Sequence, residues 1–301
     1  MTHSILITGS EGLVGTALVH QLRGRGCELR TLDLRAPEAE DVRDRGAVAR
    51  AVAGCSGIVH LAAVSRVIWG ERDPALCEAV NIGGTRVVLE AAAAAPQRPW
   101  VVFASSREVY GQPDELPVDE DARLAPINVY GRSKVAGEQL VVEARRHGLR
   151  TAIVRLSNVY GNPADHPDRV VPAFVRAAVR GALLRVDGSG HTFDFTHVRD
   201  VARGLLGVVD LLAGGESPPP IHFLTGQPTT LGELAALVIQ HASSSSAVVE
   251  APPRGFDVAR FYGSPGRAQA LLGWTPQVSL REGLAEMIAV IRAESSGAEP
   301  L

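Results

Sequence analysis

Five short stretches of the chain are apolar almost without interruption: SILIT (4–8), LRTLDL (29–34), GIVHLAA (57–63), PWVVFASS (99–106) and TAIVRLSNVYG (151–161). A strand exposed on one face alternates apolar with polar residues, so runs lacking that alternation read as strands covered on both faces. Between them lie stretches with helical spacing at 13–23, 45–53, 75–95 and 128–147. Strand and helix in strict turn pack as a parallel, doubly wound α/β sheet. With 301 residues, 46% of them hydrophobic, the chain can bury the core of such a sheet and of a second, smaller body.

The rhythm breaks after Gly161, where Pro and Gly become frequent. The sequence predicts a helix at 172–181, the segment DFTHVRDVARGLLGVVD (194–210), a strand in IHFLTG (221–226) and a helix at 231–241. It also predicts a loop at 243–256, from four consecutive serines and two prolines, and fraying after Ala293. These features assign 1–162 and 193–215 to the doubly wound domain, and 163–192 and 216–301 to a smaller mixed α/β domain that binds substrate.

Charge and cysteine content exclude several classes. A formal charge of -3 with mixed signs throughout gives no basic patch, which argues against nucleic acid or an acidic membrane as partner. No apolar run approaches the ~20 residues of a membrane span. The three cysteines, Cys27, Cys55 and Cys77, form no metal-ligand spacing, and no signal segment precedes the first strand, so a reduced, cytoplasmic setting without a metal is expected.

The first predicted strand runs directly into TGSEGLVG (8–15), with Gly9, Gly12 and Gly15 at the turn that opens the first helix. In that context the first glycine allows a tight turn, the second lets a diphosphate approach the helix N-terminus, and the third allows helix and strand to pack closely. Asp33 follows the second strand about 20 residues on, where a carboxylate can hold ribose hydroxyls. This is the fingerprint of a dinucleotide-binding Rossmann fold. A carboxylate there favours NAD over NADP, although a nearby Arg35 could receive a 2′-phosphate.

A second pattern carries chemistry. NVYGRSK (128–134) sets Tyr130 and Lys134 one helical turn apart, and Lys134 is the only lysine in a chain that writes its other 29 basic residues as arginine. A phenol can act as a base near neutral pH only if its pKa of about 10 falls by roughly three units, about 4 kcal/mol. An ammonium ~5 Å away at an effective dielectric of about 20 would supply ~3 kcal/mol, and a positive nicotinamide ring the rest. Lysine offers a compact charge where a planar guanidinium would not fit. Ser106, at the end of the fourth strand, could hold the same substrate oxygen as Tyr130.

Taken together, TGSEGLVG, Asp33, Asp41-Val42, HLAA (60–63), NIGGT (81–85), SSREVYG (105–111), YGRSK (130–134), RLSNVYGN (155–162), FDFTHVRDVA (193–202) and LLGWTPQVSLREGL (271–284) resemble the extended short-chain dehydrogenase/reductases, the NAD-dependent epimerase/dehydratase family that acts on nucleotide sugars. The resemblance implies a catalytic Ser106, Tyr130 and Lys134. It implies an NAD site at Gly9, Glu11, Gly12, Leu13, Gly15, Asp33, Asp41, Val42, Leu61, Ala62, Ala63 and Asn81, with Tyr130 and Lys134 also at the cofactor. It further implies substrate contacts at Ser65, Ser106, Arg107, Glu108, Asn158, Phe193 and Arg254.

Three departures narrow the chemistry. Dehydrating relatives of the Asp-Glu type carry an acid where this chain has Arg107, which cannot donate a proton at neutral pH; Glu108 leaves the Ser-Glu types open. Phe193 stands where the family commonly has an arginine that grips the diphosphate, so Arg254, Arg185 or Arg169 would have to serve. The stretch between Asp33 and Asp41 is short, as in the compact sugar dehydrogenases. The resemblance therefore implies a nucleotide-sugar 4-epimerase, with a sugar dehydrogenase or 4-ketoreductase as the alternative, and a homodimer built on the helices at 75–95 and 128–147.

Overall fold

The computed structural model describes residues 4–162 and 165–295. Its strands are β1 (Ser4–Thr8), β2 (Glu28–Leu32), β3 (Gly57–His60), β4 (Trp100–Ser106), β5 (Thr151–Leu156), β6 (Asn158–Tyr160), β7 (Leu184–Asp187), β8 (Thr192–His197), β9 (Ile221–Phe223), β10 (Pro228–Thr230) and β11 (Val248–Ala251). The first helices are α1 (Leu13–Gly24), α2 (Arg45–Val52), α3 (Val67–Arg72), α4 (Pro74–Glu78), α5 (Thr85–Ala94) and α6 (Val129–Arg146). Then come α7 (Val170–Val179), α8 (Val198–Ala213), α9 (Leu231–His241), α10 (Gly266–Leu272) and α11 (Leu280–Ser295). No helix among the described residues is long and apolar enough to cross a membrane.

Six strands form one parallel sheet in the order β2-β1-β3-β4-β5-β9. Alternate residues of each strand serve opposite cores, which is why the runs are apolar throughout. Ile5, Ile7, Val102 and Val154 pack with Leu18 and Leu22 of α1 and Val201 and Leu205 of α8. Leu6, Ile58, Phe103 and Ile153 pack with Val48 of α2, Val88 of α5 and Val141 of α6. The chain turns one way from β1 to β2 and the other way to β3. The crevice at the carboxyl ends of β1 and β3 is thus the switch point at which such sheets bind ligands.

A second core gathers α7, α9 and α11 around Tyr160, Phe193 and Phe195. Beside it lie a three-stranded sheet, β10-β8-β6, and the pair β11-β7. Several expectations are corrected here. The run 151–161 is two strands in different sheets, divided at Ser157. The expected loop at 243–256 contains β11, a four-residue strand whose two valines are exposed and which pairs in parallel with β7. The expected helix at 75–95 is α4, a π-helical turn at Ala79–Gly84, and α5. Residues 221–223, expected in the smaller domain, form the sixth strand of the large sheet beside β5. α11 runs to Ser295, and the rest of the expected frayed tail lies outside the described residues.

Helix α6 is fastened to the sheet by a buried ion pair. Arg155 of β5 donates from Nε and Nη2 to the two oxygens of Glu138, at 2.9 and 2.7 Å, while Ser105 Oγ donates to Glu138 at 2.5 Å. Arg155 Nη1 continues to the Tyr110 hydroxyl at 2.7 Å. Removing one member of such a pair strands a buried charge at about 3–5 kcal/mol, whereas replacing both with apolar residues can be near neutral. Glu138→Leu should therefore lower unfolding stability in urea by about 3–5 kcal/mol, and Glu138→Leu/Arg155→Met should recover most of it. A single variant within about 1 kcal/mol of wild type would show that the pair does not anchor the helix.

Candidate active site

A cavity of about 440 Å³ opens at the carboxyl ends of β1, β3 and β4 and extends towards β7, β8 and α7. Gly12, Leu13 and Gly15 line one end of it at the start of α1. Gly12 is the N-cap of that helix, with no side-chain cap and no acidic residue in the first turn, so the positive end of the helix faces the cavity. Gly9 has φ +73°, and a Cβ there would come within 2.6 Å of the Ala62 nitrogen. A Cβ on Gly15 would run into the Gly9 carbonyl. Asp33 is buried just behind, its oxygens accepting from the backbone nitrogens of Glu11 and Arg35 at 2.9 and 2.8 Å. Glu11 thus spends its N–H on Asp33 and does not line the cavity. The Arg35 Nε stands 3.5 Å from Asp33. A glycine turn, an uncapped helix N-terminus and a buried carboxylate fit the diphosphate and ribose of a dinucleotide.

Other expected cofactor residues stand further out. Leu61 and Ala63 line the cavity, whereas Ala62 packs into the apolar layer beneath it. Asp41 is bound by the Arg43 guanidinium, which holds its carboxyl below the usual range. Val42 is core and packs against Gly84. Asn81 is buried on the π-helical turn and spends its amide on protein: Oδ1 accepts from Val64 N at 2.8 Å and Nδ2 donates to Ser133 Oγ at 2.8 Å. It positions the loop after β3 and does not line the cavity.

Ser106, Tyr130 and Lys134 meet at the cavity wall. Asn128 caps α6, its Oδ1 accepting from Gly131 N at 2.7 Å, and so fixes the turn that presents Tyr130. Gly131 lets that turn approach closely, since a Cβ there would lie 2.5 Å from the Glu108 carbonyl. Lys134 is buried, donates from Nζ to the Ala104 carbonyl at 2.9 Å, and stands 5.8 Å from the centre of the Tyr130 ring.

Burial pushes the Tyr130 phenol up to about 12, against the pull of a hydrogen bond with Ser106 and the positive charge of Arg169. The expected acidification by Lys134 is not met. Desolvation outweighs nearby charge, and the cation that chiefly draws the phenol down is Arg169 on the opposite wall. Burial also lowers Lys134 to about 8.

The remaining expected residues converge on the same cavity. Glu108 is buried, with Oε1 2.8 Å from Arg107 Nη2 and Oε2 accepting from Asn128 Nδ2 at 2.7 Å, so both oxygens are engaged. Arg107 Nε donates to Asn158 at 2.8 Å, and its guanidinium lies 4.5 Å from the centre of the Phe193 ring. Ser65 accepts from Arg169 at 3.2 Å. Arg254 and Arg185 also reach the cavity, each held by a carboxylate, Asp257 and Asp187, at 2.7 and 2.8 Å. Sequence reasoning missed Asn128, whose place two residues before Tyr130 was a legible capping signal, and Arg66, whose ion pair with Asp168 crosses the cavity mouth.

Comparison with known proteins agrees with this geometry. The family model described as NAD dependent epimerase/dehydratase family matches residues 5–222. The chain is 31% identical to a UDP-glucose 4-epimerase of Rhizobium meliloti, over 92% of this chain and 94% of that one. It is equally 31% identical to a dTDP-glucose 4,6-dehydratase of Streptomyces niveus, over 99% and 95%. The solved structure of MoeE5 in complex with UDP-glucuronic acid and NAD superposes with a TM-score of 0.90 at 28% identity, covering 97% of this chain and 99% of that one.

The single lysine makes its charge directly measurable. Protein labelled with carbon-13 at lysine Cε should show one Lys134 resonance titrating near pH 8 in the cofactor-free state; a midpoint near the ordinary 10.5 would contradict the buried setting. Because the folded protein holds this proton less tightly than the unfolded chain, the group opposes folding most below about pH 8. That penalty is relieved as pH rises from about 8 towards 10.5.

Proposed function

The chain belongs to the NAD dependent epimerase/dehydratase family, and on that premise we propose that it is a nucleotide-sugar 4-epimerase. The observation that carries this choice is the Arg107–Glu108 pair beside Ser106. Eliminating water from a sugar needs a carboxylic acid or carboxylate free to exchange protons at the ring. Here the first position is a permanent cation and both oxygens of Glu108 are occupied by Arg107 and Asn128. The wall next to Ser106 can hold a sugar but is poorly made for eliminating water from it.

The glycine turn, the start of α1 and Asp33 would hold NAD, and the Asp33 carboxylate supports NAD over NADP. When bound, NAD supplies a reversible hydride acceptor and a positive ring near the phenol. Tyr130, as phenolate, takes the proton of the C4 hydroxyl and returns it, while Ser106 holds the oxygen. Lys134 donates towards the ribose, while Arg169 supplies positive charge that draws the phenol down. Binding of the nucleotide end retains the 4-keto sugar while it presents its other face.

In this reading 1–162 and 193–215, together with the strand at 221–223, serve the cofactor, and the remainder serves the sugar nucleotide. The setting is a reducing cytoplasm, consistent with three free thiols. Two copies pair through the face of α4, α5 and α6, where Leu76 and Val142 are exposed. A monomeric mass in solution at micromolar concentration would refute that pairing.

Holoenzyme incubated with UDP- and dTDP-hexoses and no added cofactor should form the C4 epimer without accumulating NADH. Tyr130→Phe should lower turnover by at least about a hundredfold while leaving NAD bound. Stoichiometric NADH would instead identify a dehydrogenase, a 4-keto-6-deoxy product a dehydratase, and tighter binding of NADP than NAD a reductase.

A further inference from the structure

Two stretches from different parts of the chain meet across the cavity mouth. Ser65, Arg66 and Trp69 follow β3 of the large sheet, and Asp165, His166, Asp168 and Arg169 lead into α7 of the second core. Ser65, Arg66, Asp168 and Arg169 line the cavity itself. Three contacts join the two sides. The Arg66 guanidinium pairs with the Asp168 carboxylate and donates from Nη2 to the Asp168 carbonyl at 3.3 Å. The His166 ring stands edge-on to Trp69 with centres 4.6 Å apart, and Arg169 Nη2 donates to Ser65 Oγ at 3.2 Å. Each contact needs a side chain; among the described residues no backbone-to-backbone hydrogen bond joins the two stretches.

The docked segment is also incompletely satisfied. Asp165 is buried, yet its Oδ2 makes no hydrogen bond, and neither does Arg169 Nε, which stands 3.4 Å from Asp165 Oδ1. Buried polar atoms without partners cost stability. An ion pair with a partner as exposed as Asp168 gains little in return. Docking is therefore held by a small margin, and a segment held this way opens more readily than the sheet beneath it.

The segment lies on the cofactor side of the mouth. Burial chiefly, and then the charges of Arg169, Arg66 and Arg35, hold the His166 ring below its ordinary value, against the pull of Asp165. Arg35 Nη2 is 3.5 Å from where a Cβ on Gly12 would stand. His166 is thus within the field of the arginine at the glycine turn, the part of the cavity that fits the diphosphate and ribose of NAD.

We propose that residues 165–169 are a latch: docked on Ser65, Arg66 and Trp69 they retain the bound dinucleotide, and released they let it leave. This rests on the NAD site at the glycine turn and is independent of the sugar chemistry. The same docking holds Arg169 at the wall opposite Tyr130, so one segment sets both cofactor retention and the charge near the base.

The test is stopped-flow release of NADH from the full-length protein, followed by NADH fluorescence as excess NAD displaces it. Asp168→Ala should speed release by about three- to tenfold, and Arg66→Ala should do the same. The double variant should be no faster than the faster single, because both changes undo one contact. Arg25→Ala breaks an exposed ion pair with Asp210, neither of which lines the cavity, and should leave release unchanged. Asp168→Asn, at an exposed position, tests the same point if Arg66→Ala fails to fold. Release changed by less than about twofold in the Asp168 variants, additive effects of the two changes, or equal acceleration by Arg25→Ala overturns the latch. Failure of NADH to bind the unaltered protein overturns the cofactor site, and the latch with it.

Discussion

Everything at the site depends on where α6 is held against the sheet. Glu138 is clamped by Arg155 and Ser105, and one turn earlier Lys134 reaches the Ala104 carbonyl at 2.9 Å. These bonds tie the helix to β4 and β5 in one register, so Tyr130, a turn earlier again, arrives beside Ser106 at the end of β4. At its N-terminus, Asn128 caps the helix with one end of its amide and holds Glu108 with the other. One helix thereby fixes the positions of Tyr130, Lys134 and, through Asn128, Glu108 along one wall of the cavity.

The electrostatics of that arrangement follow from burial more than from pairing. A phenol shut away from water resists ionisation, and an ammonium shut away from water gives up its proton sooner. Tyr130 and Lys134 are each moved in the direction their burial dictates, to about 12 and about 8. Arg169, which also bonds Ser65, is the cation opposing the first of these shifts. A phenol placed this way stays protonated near neutral pH unless further positive charge is gathered around it.

The sequence made the large sheet legible because its strands must be apolar on both faces, and the glycine turn because Gly9 and Gly15 have contacts that no side chain could replace. Tyr130 and Lys134 were legible by spacing and by the scarcity of lysine. Elements that need no apolar stripe stayed hidden. β11 is largely exposed and borrows its order from β7, and the division of the 75–95 stretch turns on Asp73 capping α4 at Pro74 and on a π-helical turn that aims Asn81 inward. The partners of Arg107 were illegible for a different reason. Asn158, Phe193 and Phe261 reach it from separate parts of the chain, and only the closed fold brings them to one guanidinium.

In the proposed 4-epimerase, oxidation and reduction occur at one carbon without release of the intermediate. Nucleotide sugar carrying deuterium at C4 tests it most directly, with the product examined by mass spectrometry and proton NMR. The expected product is a C4 epimer that keeps its deuterium at C4, takes up no label from solvent elsewhere in the ring, and is unaffected by unlabelled NADH added to the solution. Loss of the deuterium to free NADH, or its migration from C4 to C6 with a solvent hydrogen at C5, would contradict it.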